Sequence, residues 1–362
     1  MGIFFSRLSV FHQAKEEGMQ STFPFTLPNV AKVSPLVTRV MGLNPSEFTL
    51  TGSCTYLVGK GPQRTLIDTG GGIPEYAKLI EEALKNELQE EKGVSSVGID
   101  KILLTHSHED HVGGIKDVRS MFPEIPIFKL PSAYRPAADA AIPKLQMLKG
   151  GEVFEANGAT LSVVPTPGHC DDHAVFLLKE ENAFFTGDIV LGYGSTVFMC
   201  FTDFMASLQL MREMKPAKIY PGHGPVVEDG TAKLDEYISH RQKREMQVLE
   251  TLRSYVEAAA ANGAMESSDT LPSMTAMDIV KKVYVDTPEH LHFAAALNVS
   301  HHLRKLWHEK IVAPHSSASK DALELLSVSE YTMDKGKETT PERDRVMLLL
   351  DVPWTMYPGG KL

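Results

Sequence analysis

An α/β layered fold followed by a mainly helical C-terminal part is predicted by three observations on the 362 residues. Short β-prone runs bounded by turn residues alternate with helical periodicities up to about residue 228, a stretch free of proline and glycine fills 232–261, and from Ser316 onward the chain becomes rich in Ser, Lys and Glu. At 43% hydrophobic and 23% charged, the chain is long enough to bury a substantial core. A net charge of −10 excludes a global positive field, so any RNA binding needs a local patch. Three cysteines without CxxC spacing, Cys54, Cys170 and Cys200, exclude a disulfide framework and point to a reducing compartment. No apolar run is long enough for a membrane span. Met1-Gly2-Ile3-Phe4-Phe5-Ser6 fits the loose N-myristoylation pattern, and Arg7 and Lys15 give the same segment a weak transit-peptide character.

The elements follow in order. After an unpatterned leader, Phe48-Thr49-Leu50, Thr55-Tyr56-Leu57-Val58 and Thr65-Leu66-Ile67-Asp68 read as strands, the last two joined through Gly59 to Pro62. Tyr76, Leu79, Ile80 and Leu84 recur at helical spacing in 74–88, and 99–104 is a short buried strand. Further strands are expected at 152–154, 161–164, 174–178, 183–185 and 218–220, with a helix over 204–214 before the last. One long helix accounts for 232–261, and two shorter helical patterns, 276–284 and 288–306, suit a small helical or winged-helix module.

Chemistry concentrates in Thr105-His106-Ser107-His108-Glu109-Asp110-His111-Val112-Gly113-Gly114, directly after a predicted strand. A helix would put His106 and His108 on different sides. A tight loop at a strand end can instead turn His106 and His108 towards one metal and Asp110 and His111 towards a second, and this donor set suits zinc. Gly113 and Gly114 let other backbone pass close to that loop. Three more candidates stand at strand ends, each preceded by glycine: His169 in Thr-Pro-Gly-His, Asp188 in Thr-Gly-Asp and His223 in Tyr-Pro-Gly-His.

These residues resemble the metallo-β-lactamase superfamily, with HxHxDH at 106–111 and single later ligands at His169, Asp188 and His223. The resemblance implies an αββα sandwich with two Zn²⁺ ions, one on His106, His108 and His169, the other on Asp110, His111 and His223, and Asp188 shared between them. The chemistry implied is hydrolysis by a hydroxide formed near neutral pH, since zinc lowers the pKa of water to about 7. Asp110 and Asp68 enter as catalytic candidates, Asp68 by orienting a ligand histidine. His173 joins them either as a support of the site or as a contact for the leaving group.

An aspartate at 188, where β-lactamases of the superfamily tend to carry cysteine or serine, implies an esterase or nuclease rather than antibiotic hydrolysis. Thr38-Arg39-Val40, Asn44-Pro45, His169-Cys170-Asp171-Asp172-His173, Tyr237-Ile238-Ser239-His240-Arg241 and Asn298-Val299-Ser300-His301-His302-Leu303 are similar to the β-lactamase-like protein 2 family of endoribonucleases, over roughly 35–312. That implies single-stranded RNA as substrate and a mitochondrial matrix or cytoplasmic location. The expected organisation is a flexible leader (1–34), a dizinc hydrolase domain (35–228), a connecting helix (229–262), a winged-helix-like domain (263–315) and a flexible tail (316–362). Within 275–313, Lys281, Lys282, Arg304, Lys305 and Lys310 stand against Asp278, Asp286, Glu289 and Glu309, a balance that permits phosphate contact.

Ser107, Cys54, Cys170 and Met199-Cys200-Phe201 depart from that family's usual residues and are expected near the site mouth. Fungal thioesterases of the superfamily share most of the framework, which keeps acyl-thioester hydrolysis as the rival activity. A zinc-stabilised binding module without turnover is the non-enzymatic alternative.

Overall fold

Alternation along the strands separates two apolar cores and so sets the layers of the first unit. The structure, a computed structural model, describes residues 23–262, 272–327 and 347–357. It divides into two units, Met1–Thr196 with Asp203–Tyr237, and Val197–Thr202 with Ile238–Leu362. A seven-stranded sheet runs in chain order through β1 (Val30–Ser34), β2 (Val37–Met41), β3 (Cys54–Val58), β4 (Gln63–Ile67), β5 (Gly98–Leu103), β6 (Ile127–Lys129) and β7 (Leu145–Met147). Its first four strands pair antiparallel and β4 to β7 pair parallel. A second sheet is ordered β12-β11-β10-β9-β8, from β8 (Val153–Glu155), β9 (Thr160–Pro165), β10 (Ala174–Leu178), β11 (Ala183–Gly187) and β12 (Lys218–Pro221).

Tyr56, Val58, Ile67 and Leu103 share one core with Leu161, Val163, Phe176, Phe185 and Tyr220 of the second sheet. Their chain neighbours Leu57, Leu66, Ile102 and Leu104 point the other way, into a core with Tyr76, Ile80, Ala83 and Leu84 of α1 (Glu75–Glu90). Covered on both faces, these strands read as continuous apolar runs rather than alternating ones. The helices α2 (Glu109–Val112), α3 (Ile115–Met121) and α4 (Pro136–Ala141) follow β5 and β6. Val175, Phe184 and Ile219, on the other face of the second sheet, are also buried, as are Phe204, Leu208 and Met211 of α5 (Phe201–Glu213) and Leu234 at the start of α6 (Gly230–Ala261). The result is the expected αββα sandwich.

A buried carboxylate fastens α1 to the sheet. Glu87 accepts from Lys32 Nζ and Arg64 Nη2, both at 2.7 Å, and from the Thr38 hydroxyl. Burial alone would raise its pKa, but the hydrogen bonds from Lys32, Thr38 and Arg64 hold it below the usual carboxylate range.

In the second unit, α7 (Ala276–Val283) begins with a capping box in which Thr275 and Asp278 satisfy each other's backbone N–H. It is followed by α8 (His292–His308), β13 (Val312–Pro314), α9 (Lys320–Ser327) and β14 (Trp354–Met356), and β13 pairs antiparallel with β14. Two helices and this small sheet make the winged-helix-like module. Among the described residues no helix is long and apolar enough to cross a membrane.

Three expectations are corrected. Residues 48–50 form a turn, not a strand: Ser46 Oγ accepts from Phe48 and Thr49 N–H, and Leu50 has φ 56°. The flexible leader ends earlier than residue 34, because Val30–Ser34 pairs with β2. The tail from 316 is folded where it is described, since α9 forms and Trp354, fully buried, bridges both Pro314 and Met274. Buried apolar residues Leu349, Leu350 and Val352 outweigh the polar composition around them. The N-terminal myristoylation and transit patterns fall outside the described residues.

Candidate metal centre

Apart from His173, which stands just before β10, the predicted site residues follow the carboxyl ends of strands, which is why residues distant in sequence meet. Asp68 follows β4, the 105–111 loop follows β5, His169 follows β9, Asp188 follows β11 and His223 follows β12. The rims of the two sheets are joined there: Cys54 N–H donates to Gly222 O at 2.7 Å, Gly222 N–H to Gly187 O at 2.8 Å, and Ser53 bridges His223. Two glycines permit the crowding. A Cβ on Gly114 would lie 1.9 Å from Thr69 O, and one on Gly168, at φ +136°, would lie 2.3 Å from Phe204 Cα.

The donor atoms form two groups, His106, His108, His169 and Asp188, and Asp110, His111, Asp188 and His223, each within 4.8 Å of one another. In the first, His108 Nδ1 lies 2.9 Å from His106 Nε2 and 3.0 Å from His169 Nε2, and Asp188 Oδ2 lies 3.9 and 3.7 Å from those two Nε2 atoms. In the second, Asp110 Oδ2 is 3.3 Å from His111 Nε2 and 3.1 Å from His223 Nε2, while Asp188 Oδ1 is 3.3 and 3.2 Å from the same nitrogens. Asp188 therefore turns one oxygen to each group.

These residues fit divalent cations. Tetrahedral zinc with Zn–N of about 2.0–2.1 Å separates its nitrogens by about 3.3 Å, close to the spacing of the three rings of the first group. His111 Nε2 and Asp188 Oδ1 are buried with no hydrogen-bond partner, as lone pairs aimed at a cation would be. The set holds imidazole and carboxylate and no thiol, a chemistry suited to zinc.

Supporting hydrogen bonds set the tautomers. Asp68, left-handed at φ 57°, accepts Thr105 N–H on Oδ1 and the Thr105 hydroxyl on Oδ2, both at 2.8 Å. With its only proton given to Asp68, Thr105 Oγ1 accepts from His106 Nδ1 at 3.0 Å, which leaves the lone pair on Nε2. His111 Nδ1 donates directly to Asp68 Oδ2 at 2.8 Å, with the same consequence. His173 donates from Nδ1 to Thr166 Oγ1 at 2.9 Å and accepts Asp188 N–H on Nε2 at 3.2 Å. Its ring is completely buried with both nitrogens engaged, an arrangement that supports Asp188 through its backbone.

Burial pushes the His106 ring well below its ordinary value and His108 down to about 3, with neighbouring imidazoles acting the same way. Both rings are neutral at pH 7 and able to donate lone pairs. In the second group burial would raise Asp110 and Asp188, but His111 and His223 hold both well below the carboxylate range. Conversely, burial opposes charge on His111 and His223, yet the facing carboxylates raise His111 well above its ordinary value and His223 to about 10. The group attracts cationic charge in either form.

Ser53 and Lys129 contribute to the site without any signal in the sequence. Ser53 Oγ donates to Asp110 Oδ2 at 3.1 Å and is itself held by Asn44 Nδ2 at 3.0 Å. Lys129, fully buried, binds Asp139 Oδ1 at 2.8 Å and, three residues beyond His169, Asp172 Oδ2 at 2.6 Å. Cys54 is not at a site mouth: it lies in the core between the sheets, 3.9 Å from Met41 Sδ, and burial raises its thiol to about 11. Cys170 is buried too, while Cys200 and Phe201 are buried within the second unit.

The family profile described as Metallo-beta-lactamase superfamily matches residues 49–223, and that of the Beta-lactamase associated winged helix domain matches 275–320. A Beta-lactamase-like protein 2 homolog of Drosophila melanogaster is 39% identical over 302 residues, covering 82% of this chain and 96% of that one. An Atrochrysone carboxyl ACP thioesterase of Cryptosporiopsis sp. is 38% identical over 261 residues, covering 71% and 76%. Among solved structures, a Beta-lactamase domain protein from Burkholderia ambifaria superposes with a TM-score of 0.63 at 18% identity, over 83% of this chain and 94% of that one.

Proposed function

This chain belongs to the metallo-β-lactamase superfamily, whose members here are hydrolases, and on that premise we propose that it is a dizinc endoribonuclease cleaving single-stranded RNA. The observation that carries the two-metal reading is Asp188, whose two carboxylate oxygens face the two donor groups. When bound, two Zn²⁺ ions would supply a hydroxide at neutral pH and polarise the scissile phosphate.

The chain's own groups do the rest. His106, His108 and His169 would hold one ion, Asp110, His111 and His223 the other, with Asp188 common to both. Asp68 fixes His111 directly and His106 through Thr105, so both halves of the site answer to one buried carboxylate. Asp110 is the most open of the three carboxylates, with 26% of its side chain exposed. With Oδ2 held by Ser53, its Oδ1 is the atom to take the proton of the attacking water and return it to the leaving oxygen. Lys281 and Lys282, exposed on α7, offer phosphate contacts within the second unit.

A second reading, acyl-thioester hydrolysis, is favoured by the relative named as a carrier-protein thioesterase. Full-length protein loaded with zinc is incubated in parallel with labelled single-stranded RNA and an acyl-thioester, with Asp110→Ala as the contamination control. The expected outcome is about two metals per chain and internal cleavage of RNA that Asp110→Ala and chelation abolish. Thioester turnover without RNA cleavage would install the second reading. Metal-loaded protein that binds RNA without turning over either substrate would leave only a binding module.

A further inference from the structure

We propose that Tyr193 is a base-stacking platform at the rim of the metal centre, receiving an unpaired nucleobase of the RNA strand while a neighbouring phosphate occupies the site. The assignment rests on the endoribonuclease reading and deepens it. Backbone contacts fix Tyr193 beside a predicted ligand. Gly192 N–H donates to His223 O at 2.8 Å, and a Cβ on Gly192 would lie 2.1 Å from Pro225 O, so the 191–194 loop presses on the loop that carries His223. A Cβ on Gly224 would in turn come within 3.0 Å of Tyr193 N. The Tyr237 hydroxyl closes the 191–194 loop by accepting Leu191 N–H at 3.0 Å and donating to Gly194 O at 3.1 Å.

Two other rings locate the tyrosine side chain. The centroids of Phe25 and Phe23 lie 5.4 and 6.3 Å from that of Tyr193, edge-on at 62° and 73°, and 5.9 Å from each other. Three such distances make a nearly equilateral triangle, so both phenylalanines stand on one side of Tyr193, which keeps 43% of its surface exposed. The arm that supplies them is pinned to the same rim. Leu27 packs on the core between the sheets, and Asn29 O accepts Met41 N–H at 2.8 Å. The next residue, Gly42, donates to Ser53 O at 2.7 Å, and Ser53 bridges His223.

Charge and size select the occupant. A strand approaching this site meets Asp110, Asp188 and exposed Glu109 on a chain of net charge −10, so its phosphates gain little from the surface. Stacking on an aromatic ring needs no positive field and accepts any unpaired base. Three rings are too small a patch for a stable interface with a second copy, which needs about 1,000 Å², but they suit one planar ring. Because the loop and the arm are both pinned, little freedom is lost when the base lands.

The test uses the full chain and a 2′-O-methyl single strand that resists cleavage, with binding followed by fluorescence anisotropy across salt concentrations, beside cleavage kinetics on the unmodified strand. Tyr193→Ala should weaken binding about tenfold, the usual cost of losing one stacked base, and raise KM for cleavage in parallel. Metal content and the slope of log K against log salt should stay as in the wild type, because no phosphate contact is lost. Tyr193→Phe should bind like the wild type, whereas Tyr193→Leu, apolar but without a ring, should be as weak as alanine. A strand lacking one base at the stacked position should bind the wild type about as weakly as the intact strand binds Tyr193→Ala, and should cost that variant little more. Unchanged affinity and KM in Tyr193→Ala, with RNA cut normally by the wild type, would overturn the platform alone. So would a leucine variant as good as phenylalanine, or an alanine variant with a flattened salt slope or reduced metal content. A KM defect confined to an acyl-thioester would give the ring to an acyl chain instead. Wild-type protein that neither binds nor cuts RNA would overturn the substrate reading and this platform with it.

Discussion

His111 donates its Nδ1 proton to Asp68 Oδ2 at 2.8 Å, on the same oxygen that receives the Thr105 hydroxyl. Asp68→Asn keeps the shape but can present an NH₂ group to two donors. The expected result is a 10–100-fold loss of metal affinity, the usual effect of removing such a supporting carboxylate. A chelator-competition titration measures it. Wild-type affinity in the variant would show that Asp68 merely caps a turn.

Lys129 is fully buried between Asp139 and Asp172, and Lys129→Met leaves two carboxylates facing each other without their cation. Breaking a buried pair on one side costs about 3–5 kcal/mol. Urea unfolding should show a loss of that size. A loss under about 1 kcal/mol would mean that water or a shifted side chain reaches the pair.

Much of this was legible because the seven donors follow strands whose apolar runs are visible, and His106, His169, Asp188 and His223 each have a glycine or threonine beside them. Residues 54–58, 65–67 and 102–103 are buried on both faces and announce themselves by composition. The supports Ser53 and Lys129 were not legible, because Ser53 reaches Asp110 and Lys129 reaches Asp172 across 57 and 43 residues and neither carries a local pattern. The three-residue strands β6, β7, β13 and β14 were missed for a related reason: so short a run takes its conformation from the neighbour it pairs with. Phe48-Thr49-Leu50 alternates like a strand, yet the Ser46 hydroxyl competes for its N–H groups and wins.

Gly114 sits where Thr69 O leaves no room, since a Cβ there would approach to 1.9 Å. The obstacle is backbone, which cannot rotate away. Gly114→Ala should therefore destabilise the first unit by about 1–3 kcal/mol and displace Asp110 and His111, lowering metal content together with melting temperature. Full metal loading at an unchanged melting temperature would show that the 69–71 turn yields easily.

His302 gives the second unit a pH dependence of its own. The ring is fully buried, its centroid 4.1 Å from that of Phe201 and its Nδ1 3.4 Å from Glu245 Oε2. Burial pushes its pKa down to about 4; Glu245 pulls upward, while Arg241 and His301 add to the depression. Between about pH 6.5 and 4 the unfolded chain binds a proton that the folded one does not, so stability rises with pH and is lost as pH falls through that window. A shift from 6.5 to about 4 corresponds to at most about 3 kcal/mol. Glu245, held below the carboxylate range by His302 and Lys305 against the effect of burial, acts in the same sense at lower pH. Both tryptophans, Trp307 and Trp354, lie in this unit, so their fluorescence in urea follows it separately from the metal-binding unit. The midpoint should fall steeply from pH 7 to pH 4.5 in the wild type. It should fall less in His302→Leu, where Glu245 keeps Lys305 at 2.8 Å. Parallel pH profiles for the two proteins would remove His302 as the titrating group.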